Sequence, residues 1–269
     1  MDGSASHLLP TAPLISVSVI SHGNADAVHA LLESLARHEQ ARSLQIIVTD
    51  NLGADLPELD ASKWHSLIMI RNERPRGYAR NHNAAFERAE GEYFCVVNPD
   101  VVFVERVLQP LTQTMATRAA DIIAPLIVDS QGRIQDSFRR LPSPLELVLR
   151  RTLHNRGGLP APTTDTVSPD WLAGIFLLMR REIFGRLGGF DVRYYLCFED
   201  VDLCTRARLM GFSVRLNSRL RVQHDARRAS RQQGRYLFWH LRIALRFFAS
   251  PVYRTAVLAA AFSPAAEKH

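Results

Sequence analysis

Lysine is nearly missing from this chain: among 269 residues there are two, Lys63 and Lys268. A glycine-rich, lysine-bearing triphosphate loop is therefore excluded after the first apolar run, where the sequence reads SHGNADAVHA. The dinucleotide fingerprint G-x-G-x-x-G is absent from the same place, which argues against a Rossmann dehydrogenase. Cysteine is scarce as well. Cys95, Cys197 and Cys204 form no C-x-x-C pair, and their odd number excludes a complete disulfide framework, so a reducing compartment is expected. No apolar run reaches the roughly 18 residues of a membrane span. The opening MDGSASHLLPTAP lacks the basic-then-apolar order of a secretory signal. The expectation is a cytoplasmic protein, neither exported nor threaded through a bilayer. Repeats and low-complexity tracts are missing too.

What is present suffices for a large core. Apolar residues make up 46% of the chain, enough for one α/β domain with an appendage. Charge is plentiful but uneven. The net charge is +6, yet nine arginines and one acid, Asp225, fall between Arg219 and Arg254. That stretch outweighs the total, so the body of the chain is slightly acidic and an anionic partner is expected at the tail. No helix-turn-helix, RNP or zinc pattern accompanies these arginines, so nucleic acid is not the expected partner.

Apolar periodicity predicts a strand at 14–20, a helix at 25–38 with Val28, Leu31, Leu32 and Leu35 on one face, and strands at 44–49 and 67–70. A helix at 78–89 closed by Gly91, a strand at 93–97, a helix at 105–117 and a strand at 122–128 continue the pattern. Residues 141–170, rich in proline and holding Gly157 and Gly158, read as a long loop. Beyond it, WLAGIFLLM at 171–179 reads as one buried strand, 181–187 as a short helix and 220–223 as a last strand. The alternation predicts an α/β fold with a mostly parallel sheet and helices on both faces, its ligands lying beyond the carboxyl ends of the strands. Ser21 and His22, Asp50 and Asn51, and the turn 98–100 all fall at such ends.

Residues 190–206, FDVRYYLCFEDVDLCTR, set Asp191, Glu199, Asp200 and Asp202 among aromatic and apolar neighbours. Ionised carboxylates are rarely buried without a partner, so acids here mark either a helix start or a site. Glu199, Asp200 and Asp202 fit the first turn of a helix that runs to about Met210 and ends at Gly211, where the helix dipole favours negative charge.

Five motifs in order, NPD at 98–100, WLAG at 171–174, GGFD at 188–191, FEDVDLC at 198–204 and VQH at 222–224, resemble those of bacterial family-2 glycosyltransferases of the GT-A fold. The likeness is greatest to the rhamnosyltransferase-like branch that builds cell-surface polysaccharide, and it spans about residues 15–248. It implies a Rossmann-like nucleotide-binding sheet over 14–225; a tail at 1–13 precedes that domain, and the charge and spacing of the arginines predict a basic amphipathic helical segment at 226–269. It also implies an inverting transfer of a sugar, rhamnose among the candidates, from a nucleotide-diphosphate sugar. The acceptor would be a hydroxyl of a saccharide or a polyprenyl-diphosphate-linked saccharide, and the cofactor a divalent metal, Mg2+ or Mn2+.

Under that resemblance Asp200 is the general base and Glu199 its neighbour. Loss of a nucleoside diphosphate develops charge that a metal ion neutralises, and a hydroxyl of very high pKa needs a base within reach as the bond forms. Two adjacent acids also push their pKa values apart. Asp100 is the hard oxygen ligand and His224 approaches the metal or the diphosphate. The chain departs from the pattern at Asn98, where an acid is expected; a neutral amide suits the ribose instead. Ser21, His22 and Asp50 match the positions that hold base and ribose. Gly77, Arg80 and Asn83, in RGYARNHN, match the segment under the donor, where a helix N-terminus suits an anion. Trp171 is a sugar-stacking platform or a core aromatic. Asp191 contacts donor or acceptor, or braces its turn, and Arg228 belongs to a diphosphate-facing segment.

Two rivals stand beside this reading. A sugar nucleotidyltransferase uses a similar sheet and acidic turn but needs the lysine loop that is missing. A non-catalytic basic protein binding membrane or nucleic acid draws support from the tail. There Arg231, Arg235, Arg242 and Arg246 form one stripe on a helix, and Leu237, Phe238, Leu241, Leu245 and Phe248 fill much of the rest. Such a helix predicts peripheral contact with anionic lipid on the cytoplasmic face of the inner membrane, an ordinary packed helix, or a homodimer contact.

Overall fold

The computed structural model describes residues 14–53, 56, 59–146, 161–225 and 234–262, and the side chains of all of these except 234–240 and 262. The predicted tail at 1–13, residues 147–160 of the proline-rich loop, Arg228 and Arg231 lie outside the described residues.

Strands β1 (Ile15–Ser21), β2 (Leu44–Asp50), β3 (Ser66–Arg71) and β4 (Tyr93–Val97) form where the apolar, β-branched runs predict them. β2 is buried at every position, as a strand covered on both faces must be. Helices α1 (Ala25–His38) and α2 (Tyr78–Phe86) supply part of that cover. The sheet continues through β5 (Val101–Phe103), β6 (Ile122–Val128), β10 (Phe176–Arg180) and β11 (Val214–His224) in the order β3-β2-β1-β4-β10-β6-β11-β5, and β8 (Thr166–Val167) pairs with β11. Six strands run parallel; β10, β5 and β8 run against them.

Three predictions need correction. The run 171–179 is two strands: β9 (Trp171–Leu172) leaves the main sheet to pair with β7 (Phe138–Arg139), and only Phe176–Arg180 enters it. Three residues between them are diverted by contacts described below. The last strand is much longer than 220–223, because Val214–His224 pairs with β6 from Ile122 onward across an irregularity between Asn217 and Arg221. Val214, Leu216, Leu220 and Val222 alternate with polar residues along it, and Ser218 interrupts the apolar series. Helix α3 (Leu108–Ala116) begins later than 105, where Glu39 from the end of α1 accepts the Val107 and Leu108 amides at 2.6 and 2.9 Å.

The C-terminal half adds α4 (Arg181–Arg186), α5 (Glu199–Leu209), α6 (Gly234–Phe248) and α7 (Pro251–Phe262). α6 lies against the body of the protein. Ile243, Ala244 and Phe247 join Tyr194, Phe198 and Val201 in a second apolar cluster, with the Phe198 and Phe247 rings 5.3 Å apart. The opposite side carries Leu241 and Leu245 in solvent together with Arg242 and Arg246. The packed-helix expectation therefore describes one face of α6 and leaves the other bare. Among the described residues no single helix is long and apolar enough to cross a membrane; Leu241–Phe248 and Pro251–Ala261 reach that length and composition only as a pair bent by 57°.

Candidate active site

The acid turn after β4 meets the end of β11 because β5 pairs with β11 in a register that sets His224 against Val101. Asp100 Oδ1 stands 3.3 Å from His224 Nε2. Gln135 holds the imidazole from behind. Its Nε2 donates to the His224 carbonyl, which leaves Oε1 to accept from Nδ1–H at 2.9 Å. In that tautomer the Nε2 lone pair and the Asp100 carboxylate converge, a hard oxygen and an imidazole nitrogen that together suit a Mg2+ or Mn2+ ion. Among the described residues no group of three or more His, Cys, Asp or Glu side chains could hold a metal ion. Asn98 is held through its backbone, its N–H donating to Ile175 O at 2.9 Å and its carbonyl accepting from Val101 at 3.2 Å.

The paired acids begin α5. Cys197 and Phe198 precede them with φ of +75° and +69°, two successive side-chain-bearing residues in the left-handed region. Such a backbone costs about 1–3 kcal/mol per residue and persists only where its surroundings hold it. Here the α6 cluster clamps Phe198. Glu199 is 5% exposed and its Oε2 has no hydrogen-bond partner. Burial, and then the charge of Asp200, pushes its pKa well above the ordinary value near 4.5. Asp200 is partly exposed. Its Oδ2 accepts the Gly174 N–H and its Oδ1 the Val201 N–H, both at 2.8 Å. Burial raises its pKa while these two bonds draw it back. Only the Val201 bond resembles a cap, so the helix start does not explain the pair. The third acid, Asp202, is structural: it accepts from Arg206 Nε at 2.7 Å, and Arg206 in turn donates to the Leu187 and Gly189 carbonyls.

At the other end of the sheet the register aligns Ser21 with Asp50 and Asp50 with Arg71. Ser21 and Asp50 are buried, and Asp50 Oδ1 accepts the Leu52 amide at 3.2 Å. His22 is exposed, its Nδ1 3.1 Å from Asn51 Nδ2. Asn51 also takes the Arg76 amide at 2.8 Å and gives to the Arg76 carbonyl at 3.0 Å, while Asn72 bridges Asn51 and Asn81 at 2.8 Å each. These asparagines shape the loop ahead of α2. Arg80 projects into solvent from the first turn of that helix.

Several predicted donor contacts have other partners. Gly77 is a close approach: a Cβ there would stand 2.7 Å from the Tyr195 carbonyl, which also accepts the Tyr78 amide at 3.0 Å. The first amide of α2 is therefore engaged by protein. Asn83 spends both polar atoms on the backbone of Phe190, at 2.8 and 2.9 Å, and braces the GGFD turn. Asp191 binds the Arg193 guanidinium and amide; burial pushes its carboxyl up, but those bonds outweigh it and leave the pKa below the ordinary value. Trp171 donates its indole N–H to Arg140 O at 3.1 Å. Gln135, Gly174, Tyr78, Asn72 and Asn81 escaped prediction. Gln135 meets a histidine 89 positions away, and the polar richness of 71–83 between two apolar elements was the only hint of the asparagine network.

A mostly parallel α/β sheet with an acid turn at its carboxyl edge, tied through residues 174 and 175 to a pair of acids, is the arrangement expected of a sugar-nucleotide transferase, and sequence agrees. The pattern of the family described as Glycosyl transferase family 2 matches residues 16–188. The chain belongs to that family and is a glycosyltransferase. It is 28% identical over 249 residues to rhamnosyltransferase WbbL of Escherichia coli (strain K12), covering 88% of this chain and 93% of that one. It is 26% identical over 264 residues to N-acetylglucosaminyl-diphospho-decaprenol L-rhamnosyltransferase of Mycobacterium tuberculosis (strain ATCC 25618 / H37Rv), covering 88% and 84%. Solved structures share the GT-A fold. A mannosyltransferase from Pyrobaculum calidifontis in complex with GDP-Man and Mn2+ superposes with a TM-score of 0.54 at 18% identity, over 96% of this chain and 77% of that one. GalNAc-T7 with UDP, GalNAc and Mn2+ gives 0.57 at 16% identity over 80% of this chain, which spans only 44% of that protein.

Proposed function

We propose that this glycosyltransferase is metal-dependent and inverting, and that it moves rhamnose from a nucleotide-diphosphate sugar to a hydroxyl of a polyprenyl-diphosphate-linked saccharide. The observation that carries the reading is the anchoring of two sites on one short segment. Gly174 N–H binds Asp200, and the next carbonyl, of Ile175, binds the amide of Asn98 on the Asp100 turn. The choice of rhamnose rests on the names of both relatives, and that of a lipid-linked acceptor on the second.

In this mechanism Asp200 takes the proton of the acceptor hydroxyl as that oxygen attacks the anomeric carbon from the face opposite the diphosphate. The bond from that carbon to the diphosphate oxygen breaks and the configuration inverts. A base so placed contributes about 10²- to 10⁴-fold. Burial disfavours the charged form of Glu199, which spares the site a second negative charge. Asp100 and His224 would hold the ion, which when bound neutralises charge on the departing diphosphate. Ser21, His22 and Asp50 receive the nucleoside, Asn98 the ribose, Arg80 and Arg228 the phosphates, and Trp171 and Asp191 border the sugars. Gly77 and Asn83 support them from behind. Residues 14–225 form the catalytic unit.

The segment 226–269 is the membrane contact in this reading. From 234 to 262 it holds no acid, and its exposed Leu241, Leu245, Val257 and Leu258 lie among Arg242, Arg246 and Arg254. Apolar side chains flanked by arginine suit the headgroup region of an anionic leaflet. Each arginine near such a surface contributes about 1 kcal/mol. Changing Arg242 and Arg246 to Gln should abolish co-sedimentation with anionic vesicles at low salt while donor binding survives. If the wild-type protein stays in the supernatant and sediments as a dimer, the face serves a second copy.

The central test is a panel of UDP-, dTDP- and GDP-sugars, a rhamnosyl nucleotide included, scored with Mn2+ by thermal shift and by transfer. A donor at 100 times its Kd should add about 2.7 kcal/mol of stability. The reading fails if a rhamnosyl donor neither stabilises nor is consumed while another sugar nucleotide does both.

A further inference from the structure

The three residues that interrupt the predicted strand 171–179 are tied down one by one. Ala173 N–H donates to Ser137 O at 2.7 Å, Gly174 N–H to Asp200 Oδ2 at 2.8 Å, and Ile175 O accepts from Asn98 at 2.9 Å. The Gly174 carbonyl accepts the phenol of Tyr78. Tyr78 arrives from the first turn of α2, 96 positions away, with its ring edge-on to His82 at 4.3 Å and to Phe190 at 5.8 Å. Gly174 has no room for a side chain. A Cβ there would stand 2.8 Å from the Tyr78 hydroxyl and 3.3 Å from the ring carbon that bears it.

We infer that Tyr78 is a positioning residue for the transfer step: by pinning the Gly174 carbonyl it aims the Gly174 amide at Asp200 and sets the carboxylate toward the acceptor. The inference rests on the reading of Asp200 as the base. Tyr78 suits a fixed donor, since burial first, and then the charges of Glu199 and Asp200, hold its phenol pKa far above any working pH. Its ring neighbour His82 adds no charge, because burial lowers its pKa to about 3. Among the described residues, the titratable groups that feel the charge of Asp200 include Glu199, Tyr78 and Cys204, of which burial keeps the last two protonated.

Tyr78→Phe deletes one oxygen and keeps the ring. We expect kcat to fall about 10-fold, the scale of a lost buried hydrogen bond at a reacting group, with the donor KM unchanged. The acid limb of the kcat–pH profile should also move upward, because a looser Gly174 amide no longer draws the Asp200 pKa down. Gly174→Ala should lose transfer and melt earlier, and adding Tyr78→Phe to it should recover the melting temperature, since the clashing hydroxyl is gone, without recovering kcat. Asp200→Asn, measured alongside, separates the two claims. If it transfers sugar normally, the base reading fails. If it is inactive while Tyr78→Phe keeps the wild-type kcat and pH profile, or loses only thermal stability, the positioning role is overturned and the base reading stands.

Discussion

Two helix starts in this protein use buried carboxylates in opposite ways. At α3 the acid comes from elsewhere in the chain: Glu39 is 8% exposed and gives one oxygen to both the Val107 and Leu108 amides. At α5 the acids belong to the first turn, yet no side chain caps the helix, Glu199 keeps a bare oxygen, and Asp200 turns one oxygen to Gly174 across the site. Both glutamates are raised in pKa by burial first. For Glu39 the amides and Arg106 oppose the shift, whereas for Glu199 the charge of Asp200 adds to it. At α3 one carboxylate oxygen meets two backbone amides, whereas at α5 a buried glutamate oxygen is left without a donor.

Asp200→Asn tests this difference most severely. Transfer should fall by about 10²-fold or more, with donor affinity and melting temperature nearly unchanged. A variant that loses stability and keeps its rate would make Asp200 another Glu39. Next in size, Asp100→Ala should weaken donor binding in Mn2+ by about tenfold or more, and Asn98→Ala by much less, since only the first removes a charged ligand. Calorimetric titrations with and without Mn2+ read the difference; equal, small losses would remove the ion from this turn.

Glu39→Ala probes the other side. It strands two helix amides and should cost about 1–3 kcal/mol, several degrees in Tm, while the rate per folded molecule holds. The smallest effect sharpens the contrast between the glutamates through pH. A carboxyl whose pKa is raised on folding binds its proton more tightly in the native state, so its contribution to stability falls as pH rises from about 4.5 through the folded value. Glu199→Gln should flatten that decline in thermal melts and keep transfer within about tenfold of wild type. An unchanged slope would mean that Glu199 is not buried as a neutral acid.

Much of the site was legible because strand ends are legible. Where β-branched runs stop at Ser21, Asp50 and Asn98, polar residues must follow, and in a parallel sheet those ends share one edge. The paired acids were visible as charge in an apolar frame. Other functional assignments shifted once partners were known. Asn83 and Gly77 sit in the expected segment but are used by Phe190 and Tyr195, more than a hundred positions away. Local pattern carries no information about which backbone will come to meet a side chain.

Periodicity and the cost of burying charge are enough to fix the alternation of elements, the edge on which the polar ends gather and the acids that begin α5. The remainder came from long-range contacts. They broke 171–179 at the point where Gly174 is claimed by Tyr78 and Asp200, extended β11 along β6, and seated α6 against the left-handed turn at Phe198. They also turned His224 toward Asp100 through Gln135. Each of these outcomes satisfies a backbone or buried polar group with a partner distant in the chain, and such a partner exists only once the sheet has assembled.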